Sequence, residues 1–289
     1  MAVTNLNGST RKQLQDDGFA VLSGVVSADR CARLASQLNR ILSQPAAGAI
    51  GENAKRIVGG RNLQSVWSGW KAILEHRSVG EVLNQELGAS AALVRILFFD
   101  KPPGRSWNLA LHRDLTIAVA QHHDPSAPYE HPTVKAGVPH VQADESLLRS
   151  MLTLRLHLDD MHPRNGPLVV VPGSHRDPSG DGPEVDAPGG RVLHGNRAAV
   201  SAADKPDRPL TTRSEPGSEV GREPRRAEIV EIACRAGDVF AMKPLLLHGS
   251  RVSAKDCADH RRVVHLEFAP VDAIQPPYRW YQADRIEIA

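Results

Sequence analysis

The stretch SMLTLRLHLDD, residues 150–160, indicates the class of fold because its apolar and polar residues alternate. Leucines recur at every second position from Leu152 to Leu158 and therefore lie on one face of an extended strand. The opposite face is polar and carries Thr153, Arg155 and His157. The pattern predicts a β-strand with two chemically different faces. If the polar face points into the protein, its residues are candidates for binding a ligand, with an internal hydrogen-bonded network as the alternative.

Short strands are predicted on both sides of this stretch, and glycine and proline separate them. Before residue 91 the periodicity is helical instead, as in SADRCARLASQLNRILSQP, residues 27–45, where apolar residues recur at intervals of three and four. Because the later strands do not alternate with helices, they favour a sandwich or a barrel over a parallel α/β sheet. The predicted strand segments are AALVRILFFD (91–100), NGPLVVVPGSH (165–175), AEIVEIACRAGDVFAMKPLLLHGS (227–250) and HRRVVHLEFAP (260–270).

We expect a single domain over residues 1–289, mainly β with flanking helices. A mostly helical N-terminal part spans residues 1–90, and the barrel core spans residues 91–270. Residues 176–226 are rich in glycine, proline, aspartate, arginine and serine and poor in apolar residues. They are expected to form a long surface insertion, which is either a lid or disordered.

The composition argues against several classes of function. The chain has 289 residues, of which 35 are basic and 33 acidic, so its net charge of +2 indicates no nucleic-acid-binding surface. No apolar run approaches the roughly 18 residues that a membrane helix requires, and the N-terminus has no apolar signal-peptide region. The three cysteines are odd in number and far apart, which argues against a disulfide framework. We expect a cytoplasmic protein without nucleic acid or membrane as partner, and the sequence indicates no oligomeric state.

The stretch WNLALHRDLTIAV, residues 107–119, carries the strongest signal for chemistry. It is predicted as one strand, in which His112 and Asp114 point to the same face and Arg113 points away. An imidazole and a carboxylate at this spacing offer two ligands to a divalent metal. Two histidines and one carboxylate on one face of an octahedral ion leave three positions open, which is the ligand set of non-haem Fe(II) oxygenases.

The C-terminal third supplies a candidate third ligand and a candidate anion-binding residue. His248 lies at the end of the predicted strand GDVFAMKPLLLHGS, residues 237–250. Arg261 follows at the start of the next predicted strand. Its planar guanidinium can bind a carboxylate through two hydrogen bonds. A 2-oxo acid that chelates the metal and carries a second carboxylate would suit this pair, although a surface position for Arg261 is the alternative.

Five segments occur in an order that resembles the phytanoyl-CoA dioxygenase family of Fe(II)- and 2-oxoglutarate-dependent oxygenases. They are LALHRDL, LTLRLHLDD, NGPLVVVPGSHR, GDVFAMKPLLLHGS and HRRVVHLEF, and the resemblance extends from about residue 13 to residue 269. It implies a double-stranded β-helix, a jelly-roll (cupin-like) barrel. It also implies that His112, Asp114 and His248 bind Fe(2+), and that Arg261 and Ser250 bind the co-substrate 2-oxoglutarate.

The resemblance further implies an activity. The protein would use O2 to oxidise an aliphatic C–H bond of a small molecule, most simply by hydroxylation, with release of succinate and CO2. Asp114 stands where related halogenating enzymes have glycine or alanine, which favours oxygenation. The substrate would be a secondary metabolite or an acyl compound. The candidate residues for binding it are Arg155, His157, Lys135 and Trp107.

Two other functions use the same residues. A hydrolase or isomerase with Zn(II) or Mn(II) on a cupin-like barrel could use two histidines and one aspartate, and it would need neither Arg261 nor 2-oxoglutarate. A non-catalytic binding protein could retain the barrel, although an intact set of candidate ligands argues against it.

Overall fold

The structure is a computed structural model that describes residues 10–44, 49–51, 57–177 and 228–287. Nearly all of the predicted insertion at residues 176–226 lies outside the described residues, so its two alternatives stay predictions. The α-helices are α1 (Thr10–Asp16), α2 (Ala28–Leu42), α3 (Arg77–Leu87) and α4 (Glu145–Arg149), and the 3-10 helices are Leu63–Ser65, Gly69–Ile73, Gly88–Ser90 and Val271–Ala273. The strands are β1 (Phe19–Leu22), β2 (Ala49–Gly51), β3 (Ile57–Arg61), β4 (Ala91–Lys101), β5 (Leu109–His112), β6 (Thr116–Ala118), β7 (Glu130–Lys135), β8 (Val138–Gln142), β9 (Leu152–His157), β10 (Leu168–Val170), β11 (Val230–Glu231), β12 (Val239–Met242), β13 (His248–Ser250), β14 (Arg261–Pro270) and β15 (Asp284–Arg285).

Two antiparallel sheets form the barrel. The larger has the strand order β1-β12-β9-β14-β4-β3-β2, with β15 also paired to β4, and the smaller has the order β11-β10-β13-β5. From β4 onward the chain passes back and forth between these sheets, which is the path of a double-stranded β-helix. Strands β6, β8 and β7 form a third sheet in the connection between β5 and β9. The predicted jelly-roll fold is therefore confirmed.

The helices cover the outer face of the larger sheet. In α2 the residues Cys31, Leu34, Ala35, Leu38 and Leu42 recur at helical spacing, and all are buried. They share one apolar cluster with residues of α3 and with the leucines of β9. Burying each such side chain contributes about 1.5–3 kcal/mol, so this layer supplies much of the force that holds helices and sheet together.

The strand β9 has the two faces that its sequence predicts, and both are buried. Leu152, Leu154 and Leu156 pack toward the helices. Arg155 and His157 are 7% and 0% exposed and lie on the opposite face, which points between the two sheets. The polar face of this strand is therefore the inside of the barrel.

The prediction of one strand across residues 107–119 is wrong. The strand β5 ends at His112, and β6 begins at Thr116 in a different sheet. Between them the backbone N–H of Asp114 donates to the carbonyl of Pro244 at 3.0 Å. The Arg113 side chain turns away, as predicted, and donates to the carbonyl of Leu245 at 3.0 Å. The prediction failed because both segments are extended, so the alternation of residues continues across the link between β5 and β6. The two strands nevertheless pair with different neighbours.

A tight turn places β12 beside β9. Gly237 has a φ of +94°, and its N–H donates to the carbonyl of His157 at 2.8 Å. A Cβ at this position would overlap the carbonyl oxygen of Val26. Only glycine fits this backbone without strain.

Two further features of the structure concern the cysteines and the length of the helices. Cys31, Cys234 and Cys257 are buried free thiols. Within the described parts of the chain, no helix combines the length and apolar character that crossing a bilayer requires.

Candidate metal centre

His112, Asp114 and His248 come together at one end of the barrel. His112 is the last residue of β5 and His248 the first of β13, and the two are paired directly across these strands. Their ring centroids are 4.4 Å apart. The carboxylate oxygens of Asp114 lie 3.8 Å from Nε2 of His112 and 3.6 Å from Nε2 of His248. One ligand atom from each of the three residues lies within 4.8 Å of the others, which is a separation that one metal ion can bridge.

The hydrogen bonds of the two histidines leave Nε2 of each ring free to bind a metal. Nδ1 of His112 lies 2.9 Å from the carbonyl oxygen of Ala110, and Nδ1 of His248 lies 2.9 Å from that of Leu246. A carbonyl only accepts, so each Nδ1 carries the proton and each Nε2 presents a lone pair to the site. Oδ2 of Asp114 is buried and has no hydrogen-bond partner among the described residues. These three atoms fit a metal ion, whose charge would offset the cost of an unpaired buried carboxylate.

The protonation states also suit a metal. Burial raises the pKa of Asp114, but the neighbouring His248 and His265 outweigh this effect, and the net pKa lies well below its usual range. Burial and the charge of His112 lower the pKa of His248 to about 3. A carboxylate and a neutral imidazole are the forms that coordinate metals.

A second group of potential metal ligands has the opposite hydrogen-bond pattern. His162, Cys257 and Asp259 also lie close together, at the surface. However, Nδ1 of His162 accepts from the backbone N–H of Arg164 at 3.3 Å, so its Nε2 carries the proton and donates to Asp259 at 3.1 Å. A protonated nitrogen has no lone pair for a metal. Hydrogen bonding explains this cluster without an ion.

A buried ionic chain borders the first site and was not predicted from the sequence. Nε2 of His265 lies 3.8 Å from Oδ2 of Asp114 and 3.2 Å from Glu267. Glu267 in turn accepts two hydrogen bonds from Arg95, at 2.7 and 2.5 Å. Burial raises the pKa of Glu267, but Arg95 and His265 outweigh it and the net shift is downward. The alternation in RRVVHLEF is the signal that could have revealed these residues, because Arg261, His265 and Glu267 share one face of β14.

A cluster of cations lies deeper in the barrel. Arg261 is 3% exposed, which excludes the alternative of a surface residue, and it is paired in register with Lys101 of β4. The amine of Lys101 donates to Oγ of Ser250 at 2.9 Å and to the carbonyl of Arg251 at 2.7 Å. It also lies 5.4 Å from the ring centroid of Trp107, which is half-buried. The sequence did not predict that Lys101 would be buried beside Arg261, since its strand reads as a continuous apolar run.

The described residues provide these cations with no anionic partner. Nε of Arg261 is buried without a hydrogen-bond partner, and no carboxylate among the described residues pairs with Arg261 or Lys101. Burial, followed by the charges of Arg261 and Arg155, lowers the pKa of Lys101 to about 6. Burial and the charge of Arg155 also lower the pKa of Arg261. The arrangement suits a buried anionic ligand.

The candidate residues for substrate lie on two sides of the metal centre. Arg155 and His157 face the interior near Arg261, and Nε of Arg155 and both ring nitrogens of His157 have no hydrogen-bond partner among the described residues. Lys135 lies elsewhere and donates to Oγ1 of Thr116 at 3.1 Å. Burial and the charges of neighbouring arginines lower the pKa of Lys135 to about 8.

A narrow crevice borders Asp114, one of the candidate metal ligands. Arg95, Thr116 and Glu267 line it beside Asp114. The rest of the lining is mainly apolar and comprises Ile117, Leu148, Met151, Thr153 and Pro244.

Several solved structures share this fold. SnoK, a non-heme alpha ketoglutarate dependent carbocyclase from nogalamycin biosynthesis, has 15% identity and a TM-score of 0.56, and the match covers 93% of this chain and 85% of that one. AviO1 from Streptomyces viridochromogenes Tue57 has 19% identity and a TM-score of 0.53, with 96% and 100% covered. EvdMO1 has 17% identity and a TM-score of 0.52; the match covers 90% of this chain but 49% of that one, so this chain spans about half its length. At such identities the likeness is evidence for the fold alone.

Sequence comparison identifies the family. No curated protein matches the chain. The family model for phytanoyl-CoA dioxygenase (PhyH) matches residues 14–256, which include the three candidate metal ligands. This family uses Fe(II) and 2-oxoglutarate, so the predicted cofactor and co-substrate are confirmed, and the Zn(II)/Mn(II) and non-catalytic alternatives lose their support. The chain belongs to the phytanoyl-CoA dioxygenase family of non-haem, Fe(II)- and 2-oxoglutarate-dependent oxygenases.

Proposed function

We propose that this protein is a dioxygenase that hydroxylates an aliphatic C–H bond of a small organic molecule, with 2-oxoglutarate and O2 as co-substrates and succinate and CO2 as co-products. The observation that carries the proposal is one juxtaposition. Two Nε2 lone pairs and an unpaired carboxylate oxygen converge at the end of the barrel. Its interior holds Arg155, Arg261 and Lys101, which pair with no carboxylate among the described residues.

His112, Asp114 and His248 are the proposed iron ligands. When bound, Fe(II) supplies the activation of O2, which no side chain can perform. The protein keeps the ligands in the required form: the carbonyls of Ala110 and Leu246 hold both histidines in the tautomer with a free Nε2.

Arg261, with Ser250 and Lys101, is the proposed anchor for the distal carboxylate of 2-oxoglutarate. The guanidinium can hold both carboxylate oxygens, and the hydroxyl of Ser250 and the amine of Lys101 can donate further hydrogen bonds. Trp107 packs beside the amine of Lys101 and limits its orientation. Trp107 therefore supports the co-substrate site rather than the substrate site.

The substrate is proposed to bind beside Asp114, on the side of Lys135. Lys135 and the crevice residues Arg95, Thr116 and Glu267 give this side hydrogen-bonding groups and charge. The substrate class stays a secondary metabolite or an acyl compound, because Arg95 and Glu267 already pair with each other and Lys135 already donates to Thr116. Hydroxylation remains a proposal, since solved structures of this fold carry names such as epimerase and carbocyclase.

The first experiment is anaerobic addition of Fe(II), followed by titration with 2-oxoglutarate and observation of the weak visible charge-transfer band of the chelate. A band is expected in the wild type, and Arg261→Ala is expected to weaken it. Arg262→Ala is the matched control, because Arg262 points away from the interior and pairs with Asp159 at 2.6 Å. Metal-loaded, folded protein that gives no band would refute the proposal. With a substrate in hand, hydroxylation predicts succinate and a product heavier by one oxygen atom.

A further inference from the structure

Arg155 is a buried cation that pairs with no carboxylate among the described residues. It is 7% exposed, and its Nε has no hydrogen-bond partner among the described residues. The acids near the site are already committed: Glu267 pairs with Arg95, and Asp114 belongs to the candidate metal centre. A guanidinium buried without an anion costs several kcal/mol, so its retention calls for a ligand that supplies the negative charge.

The position of Arg155 is level with the metal end of the barrel. Across the β9–β14 pair, Arg155 lies opposite His265, whose Nε2 is 3.8 Å from Asp114. Arg261 begins the same strand β14 and faces Lys101 on the other neighbour. The four steps along the chain from Arg261 to His265 span roughly 13 Å of extended strand. Cations are therefore held at two levels of one interior.

The electrostatic neighbours of Arg155 agree with this placement. The negative charge of Asp114 raises the pKa of Arg155 against the lowering effect of burial. In turn, the charge of Arg155 lowers the pKa of His248 at the metal end and the pKa of Lys101 at the deep end.

We propose that Arg155 binds the 1-carboxylate of 2-oxoglutarate, the one beside the keto group, so that the co-substrate is held by a cation at each end. Resting on the proposed function, this inference gives the two arginines separate tasks. Arg155 recognises the carboxylate that every 2-oxo acid has, whereas Arg261 recognises the second carboxylate that only a dicarboxylate has. Arg155 is then a co-substrate ligand rather than a substrate ligand.

The two tasks can be separated with two ligands. Pyruvate keeps the 2-oxo acid group and lacks the distal carboxylate. In anaerobic Fe(II) protein, Arg155→Met is expected to lower the affinity for 2-oxoglutarate and for pyruvate by the same factor. That factor is about tenfold or more, as for a lost hydrogen bond to a charged group. Arg261→Met is expected to lower the affinity for 2-oxoglutarate alone and to leave the affinity for pyruvate unchanged. Arg155→Met should also shift the energy of the charge-transfer band, because the lost contact lies next to the chelating atoms.

The stability of the variant separates this role from a structural one. Removing an uncompensated buried charge should leave the metal-free, ligand-free protein at least as stable as the wild type, whereas a structural Arg155 would make Arg155→Met less stable. If Arg155→Met does not fold, Arg155→Gln keeps a polar side chain and carries the same binding comparison.

The outcomes distinguish the two proposals. Unchanged affinity of an Arg155 variant for both ligands would overturn this inference, and Arg155 would then serve substrate or structure. A wild type without any charge-transfer band would instead overturn the proposed function. A normal wild-type band with selective loss in Arg261→Met upholds the proposed function whatever Arg155 does.

Discussion

Replacing Lys101 by methionine is expected to change how the stability of the ligand-free protein depends on pH. In the folded protein, burial and then the charges of Arg261 and Arg155 lower the pKa of this amine from 10.5 to about 6. The unfolded chain therefore holds a proton on the amine over a pH range in which the folded protein does not. Folding must expel that proton, which costs free energy.

The magnitude follows from the two pKa values, 10.5 and about 6. At about 1.36 kcal/mol per pH unit, their difference corresponds to about 6 kcal/mol of lost stability below pH 6, which is regained as pH rises. Because the unfolded state binds more protons in this window, wild-type stability rises with pH. Between pH 7 and pH 9, the wild type should gain about 3 kcal/mol relative to Lys101→Met. The hydrogen bonds that methionine cannot make to Ser250 and Arg251 add a difference that does not depend on pH.

The assay is urea unfolding of both proteins at pH 7 and pH 9, in the presence of a chelator and without 2-oxoglutarate. Comparing the variant with the wild type cancels the titration of all other groups, and the exposed Lys71→Met variant controls for the loss of one lysine. A difference in unfolding free energy that is equal at both pH values would show that Lys101 keeps its proton when folded. The inference that Lys101 becomes charged only when an anion binds beside it would then be wrong.

Other predictions test other parts of the molecule. His248→Ala should abolish Fe(II) binding in calorimetry while circular dichroism stays native, and His122→Ala, outside the candidate metal centre, should bind Fe(II) normally; equal binding by both variants would contradict the ligand assignment. Glu267→Gln leaves Arg95 buried without its partner and should lower the free energy of unfolding by about 3–5 kcal/mol, measured by denaturant titration; a loss below about 1 kcal/mol would mean that the pair is not desolvated. Gly237→Ala introduces a Cβ that overlaps a backbone carbonyl, so we expect a clear drop in Tm, and an unchanged Tm would show that the turn can adjust.

Residues whose roles depend on local pattern could be predicted from the sequence. The alternation from Leu152 onward predicted β9, and the two-residue spacing of His112 and Asp114 predicted a pair of metal ligands. These inferences needed only backbone geometry, which is set by near neighbours. Even where the predicted single strand proved to be two, the short link kept the imidazole and the carboxylate 3.8 Å apart.

Residues whose roles depend on distant partners could not be predicted in this way. Lys101 looks like the end of an apolar strand, and only its register with Arg261 reveals a cation cluster. Glu267 and Arg95 are 172 positions apart in the chain and meet only because β4 and β14 pair. No local pattern encodes which strands become neighbours.

The sequence by itself therefore determined the alternating strands, the helical N-terminal segment and the types of residue available for chemistry, because these follow from spacing and side-chain properties. The tertiary structure alone decided that the polar face of β9 is the inside of the barrel. Alternation distinguishes two faces of a strand but does not say which is covered, and here helices cover one face while the second sheet encloses the other. That enclosure turns Arg155 from a polar residue on a strand into a buried cation that pairs with no carboxylate in the described parts of the chain.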